Sequence, residues 1–368
     1  MDTAVVRDRH TVPTRWWHRL DDGRVQCDLC PRFCRLRDGQ RGLCFVRAAL
    51  DGEVVLTTNG RSSGFCVDPI EKKPLNHFFP GSAVLSFGTA GCNLACRFCQ
   101  NWDISKSRDV DRLADEAAPE TIARAAVELG CASVAFTYND PVVFHEYAID
   151  VAAACRAHGV KTVAVTAGEI CPGPRAELFA AMDAANVDLK AFTETFYHEV
   201  CGGHLQTVLE TLVYLRRETA VWLEITNLLI PGLNDSEEET DALSRWVVAE
   251  LGADVPVHFT AFHPDWKLNE RPPTPARTLR RAREIARRNG VRHAYTGNVQ
   301  DEEGGSTRCH ACGELLVGRD GYRLTAWNLT VEGRCARCDA PCAGRFGPRP
   351  GTWGAQRLPV RLSRFAAR

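Results

Sequence analysis

The chain has 368 residues, enough for two or three domains at roughly 150 residues each. An apolar fraction of 45% with 25% charged residues excludes disorder as its main state. Lysine and arginine number 45 against 46 aspartates and glutamates, so the surplus of basic charge that a dedicated nucleic-acid binder needs is missing.

The first twenty residues mix arginine, aspartate and histidine and offer no apolar stretch for a signal peptide. No apolar run approaches the roughly 18 residues of a membrane span, and a cytoplasmic protein is expected. The outlier is cysteine: 17 residues, an odd number, gathered mostly in short-spaced sets. Without an export signal, such sets read as metal or iron–sulfur ligands rather than disulfides.

Residues 1–80 lack a long helical period and are expected to form a Cys-rich N-terminal metal-binding domain. Its spacing, Cys27-x2-Cys30-x3-Cys34-x9-Cys44, supplies four thiolates, enough for a closed zinc site or a second [4Fe–4S] cluster. Metal binding would supply much of the folding energy of a unit so short of apolar residues.

Residues 81–300 change character. Apolar runs at 83–88, 132–138, 161–166, 186–190, 221–229, 255–262 and 291–296 alternate with amphipathic stretches at 119–129, 142–158, 175–183, 205–217, 236–251 and 275–289. Pro119 and Pro275 suit first helical turns, Asp235-Ser236 ahead of Glu238 and Glu239 reads as a cap, and Gly130, Gly159, Gly252 and Gly290 suit positions just past helix ends. This repeated alternation predicts an α/β fold with a parallel sheet, either a barrel or a doubly wound sheet. The chemistry belongs on the loops after the strand C-termini.

A polar linker follows, and residues 301–346 carry Cys309-x2-Cys312-x22-Cys335-x2-Cys338, a zinc-ribbon-like pattern with an auxiliary cluster as its alternative. Cys342 is an exchange candidate for Cys338. Residues 347–368, rich in glycine, proline and arginine, are expected to form a flexible tail. Cys66, Cys131, Cys155 and Cys171 read as small buried hydrophobes, and Cys201, before Gly202-Gly203, as a candidate substrate-proximal thiol.

The decisive segment follows the first strand of the 81–300 region: Cys92-x3-Cys96-x2-Cys99. Three thiolates do not close a tetrahedral zinc site. On a [4Fe–4S] cluster they leave one iron without a protein ligand, the open position that a reactive centre needs.

This loop, followed by strand–helix alternation, resembles the radical S-adenosylmethionine (SAM) superfamily. The resemblance implies a partial (β/α)6 barrel in which SAM binds the open iron and is cleaved to a 5′-deoxyadenosyl radical that abstracts a substrate hydrogen. Phe98 matches the aromatic residue found before the last cysteine and would pack beside the adenine or cluster. A closer resemblance spans almost the whole chain, through Asp68-Pro69-Ile70-Glu71-Lys72-Lys73-Pro74-Leu75, Cys99-Gln100-Asn101-Trp102-Asp103-Ile104-Ser105, Asp188-Leu189-Lys190, Ile230-Pro231-Gly232-Leu233-Asn234-Asp235 and His258-Phe259-Thr260-Ala261-Phe262-His263-Pro264. These resemble the radical SAM member of the AmmeMemoRadiSam system, a branch similar to the activases of glycyl-radical enzymes such as pyruvate formate-lyase. That likeness implies a one-electron reductant such as flavodoxin or ferredoxin, and Memo-type and AMMECR-type partners.

The resemblance also implies roles for single residues. Asp140, in Thr137-Tyr138-Asn139-Asp140-Pro141, stands where the branch tends to have Asn-Glu-Pro and would receive the SAM ammonium. Asp188 and Lys190 point to the same side of a strand; Lys190 would neutralise the SAM carboxylate, with Asp188 ordering it. His263 would face the SAM ribose or its methionyl part. Glu224 and Asn227 are further polar candidates for the barrel interior, and Glu169 stands where the branch tends to have asparagine nearby. Two rival readings remain: a glycyl-radical-enzyme activase, and a non-catalytic iron–sulfur and zinc scaffold.

Overall fold

A computed structural model describes residues 5–106 and 115–366. Its centre is a sheet containing seven parallel strands: β2 (Ala83–Gly88), β3 (Ser133–Phe136), β4 (Lys161–Thr166), β5 (Ala184–Asp188), β6 (Trp222–Leu229), β7 (Val257–Ala261) and β8 (Ala294–Gly297). Each strand pairs with the one before it in the chain, in the unbroken order β8-β7-β6-β5-β4-β3-β2. A doubly wound sheet reverses its strand order at a switch point. The monotonic order therefore settles the fold as a partial barrel.

The crossovers are α1 (Pro119–Glu128), α2 (His145–Ala157), α3 (Pro172–Ala180), α4 (Leu205–Glu218), α5 (Glu237–Trp246) and α6 (Ala276–Arg288). They form where the sequence punctuates them. Pro119 and Pro172 sit in first turns, where a missing N–H costs nothing. The Ser236 side chain accepts from the Glu239 amide. Gly130 and Gly159, at φ +67° and +71°, take the left-handed position past α1 and α2. Apolar residues from both sides of the wall, among them Phe87, Phe136, Phe144, Val187 and Ile225, are fully buried.

Two expectations are corrected. The 1–80 unit does not end before the sheet: β1 (Arg61–Pro69) lies antiparallel on β2 and extends the barrel wall. Its sequence, Arg-Ser-Ser-Gly-Phe-Cys-Val-Asp-Pro, lacks the alternation that marks a strand. Nor is the tail flexible along its described length. β9 (Leu358–Pro359) pairs with Val67 and Cys66 of β1, and Leu362 is fully buried.

Ahead of β1 lie two small antiparallel three-stranded sheets. Arg47 ties them to the barrel: its guanidinium is 2% exposed, pairs with Glu146 on α2, and its Nε donates to the Val143 carbonyl at 3.1 Å. After β8, Leu315–Asp320 and Arg323–Trp327 form the hairpin of the C-terminal module.

Candidate active site

The loop from Gly91 to Asn101 leaves the C-terminal end of β2 and is held in place from three directions. Gly91 has φ +81°, and a Cβ on it would lie 1.9 Å from the Cys44 carbonyl oxygen, so only glycine fits. The Asn139 side-chain amide donates to the Gly91 carbonyl at 2.8 Å, and its oxygen accepts from the Thr89 amide. The amides of Ala95 and Arg97 donate to the carbonyls of Cys201 and Val200, at 2.8 and 2.9 Å.

This loop walls a cavity of about 360 Å³ at the C-terminal ends of the strands. Cys92, Cys96 and Cys99 line it, as do Phe98, Asp140, Asp188 and Lys190. Seven of the residues singled out in the sequence are thus gathered on one surface, although they come from four segments of the chain.

The Lys190 Nζ donates to Asp188 at 2.8 Å and sits 5.9 Å from the centre of the Phe98 ring. Burial works against its charge, but Asp188, Cys96 and Cys201 outweigh burial and hold its pKa well above the usual value. Lys190 therefore presents a fixed positive charge to the cavity. Cys201 is wholly buried and does not line the cavity; its thiol hydrogen-bonds with Cys96. That bond, with Lys190 and Lys106 nearby, draws the Cys96 thiol below its ordinary pKa. Burial pushes Cys92 up to about 12.

Asp140 is more committed than the sequence implied. Its carboxylate accepts from the Val142 amide at 3.1 Å, the Thr166 hydroxyl at 2.8 Å and the Ala167 amide at 2.8 Å. Three donors against about four acceptor sites leave room for one more. The neighbouring Tyr138 has φ +71°, a strained conformation for an aromatic residue. Gly88 permits it, because a Cβ there would fall 2.5 Å from the Thr137 carbonyl oxygen.

His263 is not brought to this cavity. It lies beyond β7 with an exposed side chain. Glu224 points away from the chemistry as well: buried, it accepts from the amides of Asn76 and His77 and from His258. Asn227 donates to the Leu189 carbonyl, and Glu169 accepts from the His204 amide. In their place the structure adds Lys72 and Lys73, both lining the cavity and both paired with the fully buried Asp68, at 3.0 and 2.7 Å. The sequence signal for them, two lysines two and three residues past the end of β1, has no periodicity to reveal burial.

At the C-terminal module the Cys309 and Cys338 sulfurs are 3.6 Å apart, and those of Cys312 and Cys335 are 3.8 Å apart. Metal–sulfur bonds of about 2.3 Å in a tetrahedron give edges of about 3.8 Å, so these four thiols fit one ion. Cys342 is not an alternate for Cys338. It is buried against His77 and His293. His77 already spends both ring nitrogens, on the Ala343 carbonyl and the Tyr295 hydroxyl.

Three thiols opening onto a cavity at the mouth of a partial barrel define a class of cluster-dependent enzyme. Residues 87–243 match the radical SAM superfamily. The chain is 39% identical over 324 residues to an uncharacterized protein of Methanocaldococcus jannaschii, covering 88% of this chain and 96% of that one. It belongs to the radical SAM superfamily and is an enzyme of that class.

Among solved structures it is similar to a domain of pyruvate-formate lyase-activating enzyme from Bacteroides vulgatus (18% identity, 45% of this chain and 99% of that chain, TM-score 0.40). It is also similar to a radical SAM methyltransferase from Sphaerobacter thermophilus (16% identity, 78% and 76%, TM-score 0.47). The superfamily implies a [4Fe–4S] cluster and SAM. The residues fit them: three thiols, and among the described residues no fourth, line the cavity that also carries the Lys190 charge. No described helix is long and apolar enough to cross a membrane.

Proposed function

We propose that Cys92, Cys96 and Cys99 hold the cluster, that SAM occupies the cavity beside them, and that a substrate enters the same cavity, within an AmmeMemoRadiSam-type system. The observation that carries this is the convergence of the three thiols, Phe98, Asp188 and Lys190 on one cavity of about 360 Å³. When bound, the cluster and SAM supply one-electron cleavage of the sulfonium, giving a 5′-deoxyadenosyl radical that removes a substrate hydrogen.

The protein binds, orients and shields. Lys190 neutralises the SAM carboxylate, and Asp188 keeps its ammonium aimed. The single acceptor site left on Asp140 suits the SAM ammonium, and its other bonds fix the Thr137–Asp140 carbonyls. Phe98 closes one wall. Lys72 and Lys73 make the remaining wall cationic, which suits an anionic substrate.

The C-terminal thiols hold one zinc ion and play no part in the chemistry. Flavodoxin or ferredoxin supplies the electron, and Memo-type and AMMECR-type proteins are the expected partners. Anaerobic purification, reduction with dithionite in the presence of SAM and measurement of 5′-deoxyadenosine test the central claim. Iron-replete protein that yields none would overturn it. Co-purification with a Memo-type protein tests the setting, and capture of a glycyl-radical enzyme in its place would move the protein to the activase reading.

A further inference from the structure

We infer that Cys27, Cys30, Cys34 and Cys44 hold a second [4Fe–4S] cluster rather than a zinc ion, directly behind the catalytic loop. The four residues line one enclosed cavity, walled further by Leu29, Leu36, Leu43 and Arg47. The space open to the centre of a water-sized sphere is about 20 Å³. Adding the radius of a water makes the hole roughly 6 Å across.

A single tetrahedral ion makes no such hole. With sulfurs at about 2.3 Å from the metal, nothing the size of water fits between them. The C-terminal set of this same chain shows that closed arrangement, with its sulfurs at 3.6 and 3.8 Å. Among the described residues no three of the four N-terminal sulfurs gather within 4.8 Å, and neither do the three catalytic ones. Thiolates on a cubane bind different irons at separate corners and are held apart by the cube. The N-terminal set shares the wide spacing of the catalytic set and differs from the ribbon.

The surroundings suit the same group. Leu29 and Leu36 are buried and keep the hole dry. A cluster on four thiolates is anionic, and the buried Arg47 faces it while pairing with Glu146. Backbone amides of Leu29, Arg32, Val46 and Arg47 are directed at the sulfurs of Cys27, Cys30 and Cys44. Such amide–sulfur bonds stabilise cluster ligands.

The site abuts the catalytic loop. Gly91 rests on the Cys44 carbonyl, and the Arg32 Nε donates to the Asn93 carbonyl at 3.0 Å. Asn93 lines the N-terminal cavity while its neighbour Cys92 lines the other.

The test uses the full chain with Cys92→Ala, Cys96→Ala and Cys99→Ala combined, purified anaerobically and reconstituted with iron and sulfide. It should retain about four irons and four sulfides per chain, with the Mössbauer doublet of a [4Fe–4S] cluster. Iron falling to background in this variant, with or without an added zinc, would overturn the inference. Cys30→Ala with Cys34→Ala in the otherwise native chain should lose about half the iron of wild type. Circular dichroism on that variant establishes that the barrel has folded. A folded variant with unchanged iron would also overturn the inference.

Discussion

The catalytic loop and the C-terminal module use the same ligand to opposite ends. Cys309, Cys312, Cys335 and Cys338 stand at the edge length of one tetrahedron, so an ion bound there is closed to substrate. Cys92, Cys96 and Cys99 are spread along the wall of a cavity whose other wall is polar and cationic. The difference lies in what surrounds the sulfur, since the residue type is identical. A complete set of thiols makes a staple; an incomplete set facing a charged cavity leaves a coordination position for chemistry.

The harshest way to test that contrast is to remove one thiol from the open set. Cys96→Ala should lose the catalytic cluster and drop 5′-deoxyadenosine formation to background. Wild-type yield from this variant would end the assignment. The closed set should behave differently. Cys309→Ser combined with Cys312→Ser should remove one zinc per chain and unfold the module, since structural zinc contributes about 10–16 kcal/mol of apparent folding energy in such small units. SAM cleavage should survive within a few-fold. If wild type carries no zinc and the variant loses about four irons, the module holds a cluster and the contrast collapses. A smaller effect is expected at the charge that completes the open site. Lys190→Ala should keep its iron and bind SAM about tenfold or more weakly, for a lost charge-assisted contact of roughly 1.5–3 kcal/mol. Equal affinity in a titration would return Lys190 to a purely structural salt bridge with Asp188.

Much of this was legible in the sequence because it is local. Six crossover helices follow from apolar period, and Pro119, Pro172 and the glycines after α1 and α2 end or begin them by backbone sterics alone. The three catalytic cysteines are legible for the same reason, being eight residues of one loop. What escaped is non-local. β1 is a strand because β2 and β9 pair with it, not because its own residues alternate. Asp68 and Lys73 are buried by a fold that brings them under the cavity. Glu224 looked like a barrel-interior acid, yet amides from residues about 150 positions earlier claim it. His263 follows its strand as the motif requires, but the turn that follows leaves it exposed.

The mildest test asks whether the two regions are mechanically joined, and it turns on His77. This residue lies between barrel and module: its Nδ1 sits 2.6 Å from the Ala343 carbonyl, and its Nε2 meets the Tyr295 hydroxyl of β8. A carbonyl only accepts, so Nδ1 carries the proton and Nε2 accepts from the tyrosine, which is the neutral tautomer. Burial lowers its pKa from 6.5 to about 4, against the pull of the Glu224 carboxylate. The unfolded chain takes up a proton here as pH falls through 6.5, whereas the folded protein resists until about 4. Stability is therefore full above the unfolded value and declines as pH drops through that interval, by about 1 kcal/mol between pH ~6.5 and ~5.5. His293, whose ring centre is 4.4 Å from that of His77, is pushed down by burial in the same way and persists in a His77→Gln variant. Denaturant midpoints of both proteins at the two pH values isolate His77, since only the wild type should show the extra loss. Parallel slopes would mean that the module and the barrel meet without a titrating group between them, and that acid does not loosen the staple from the site it flanks.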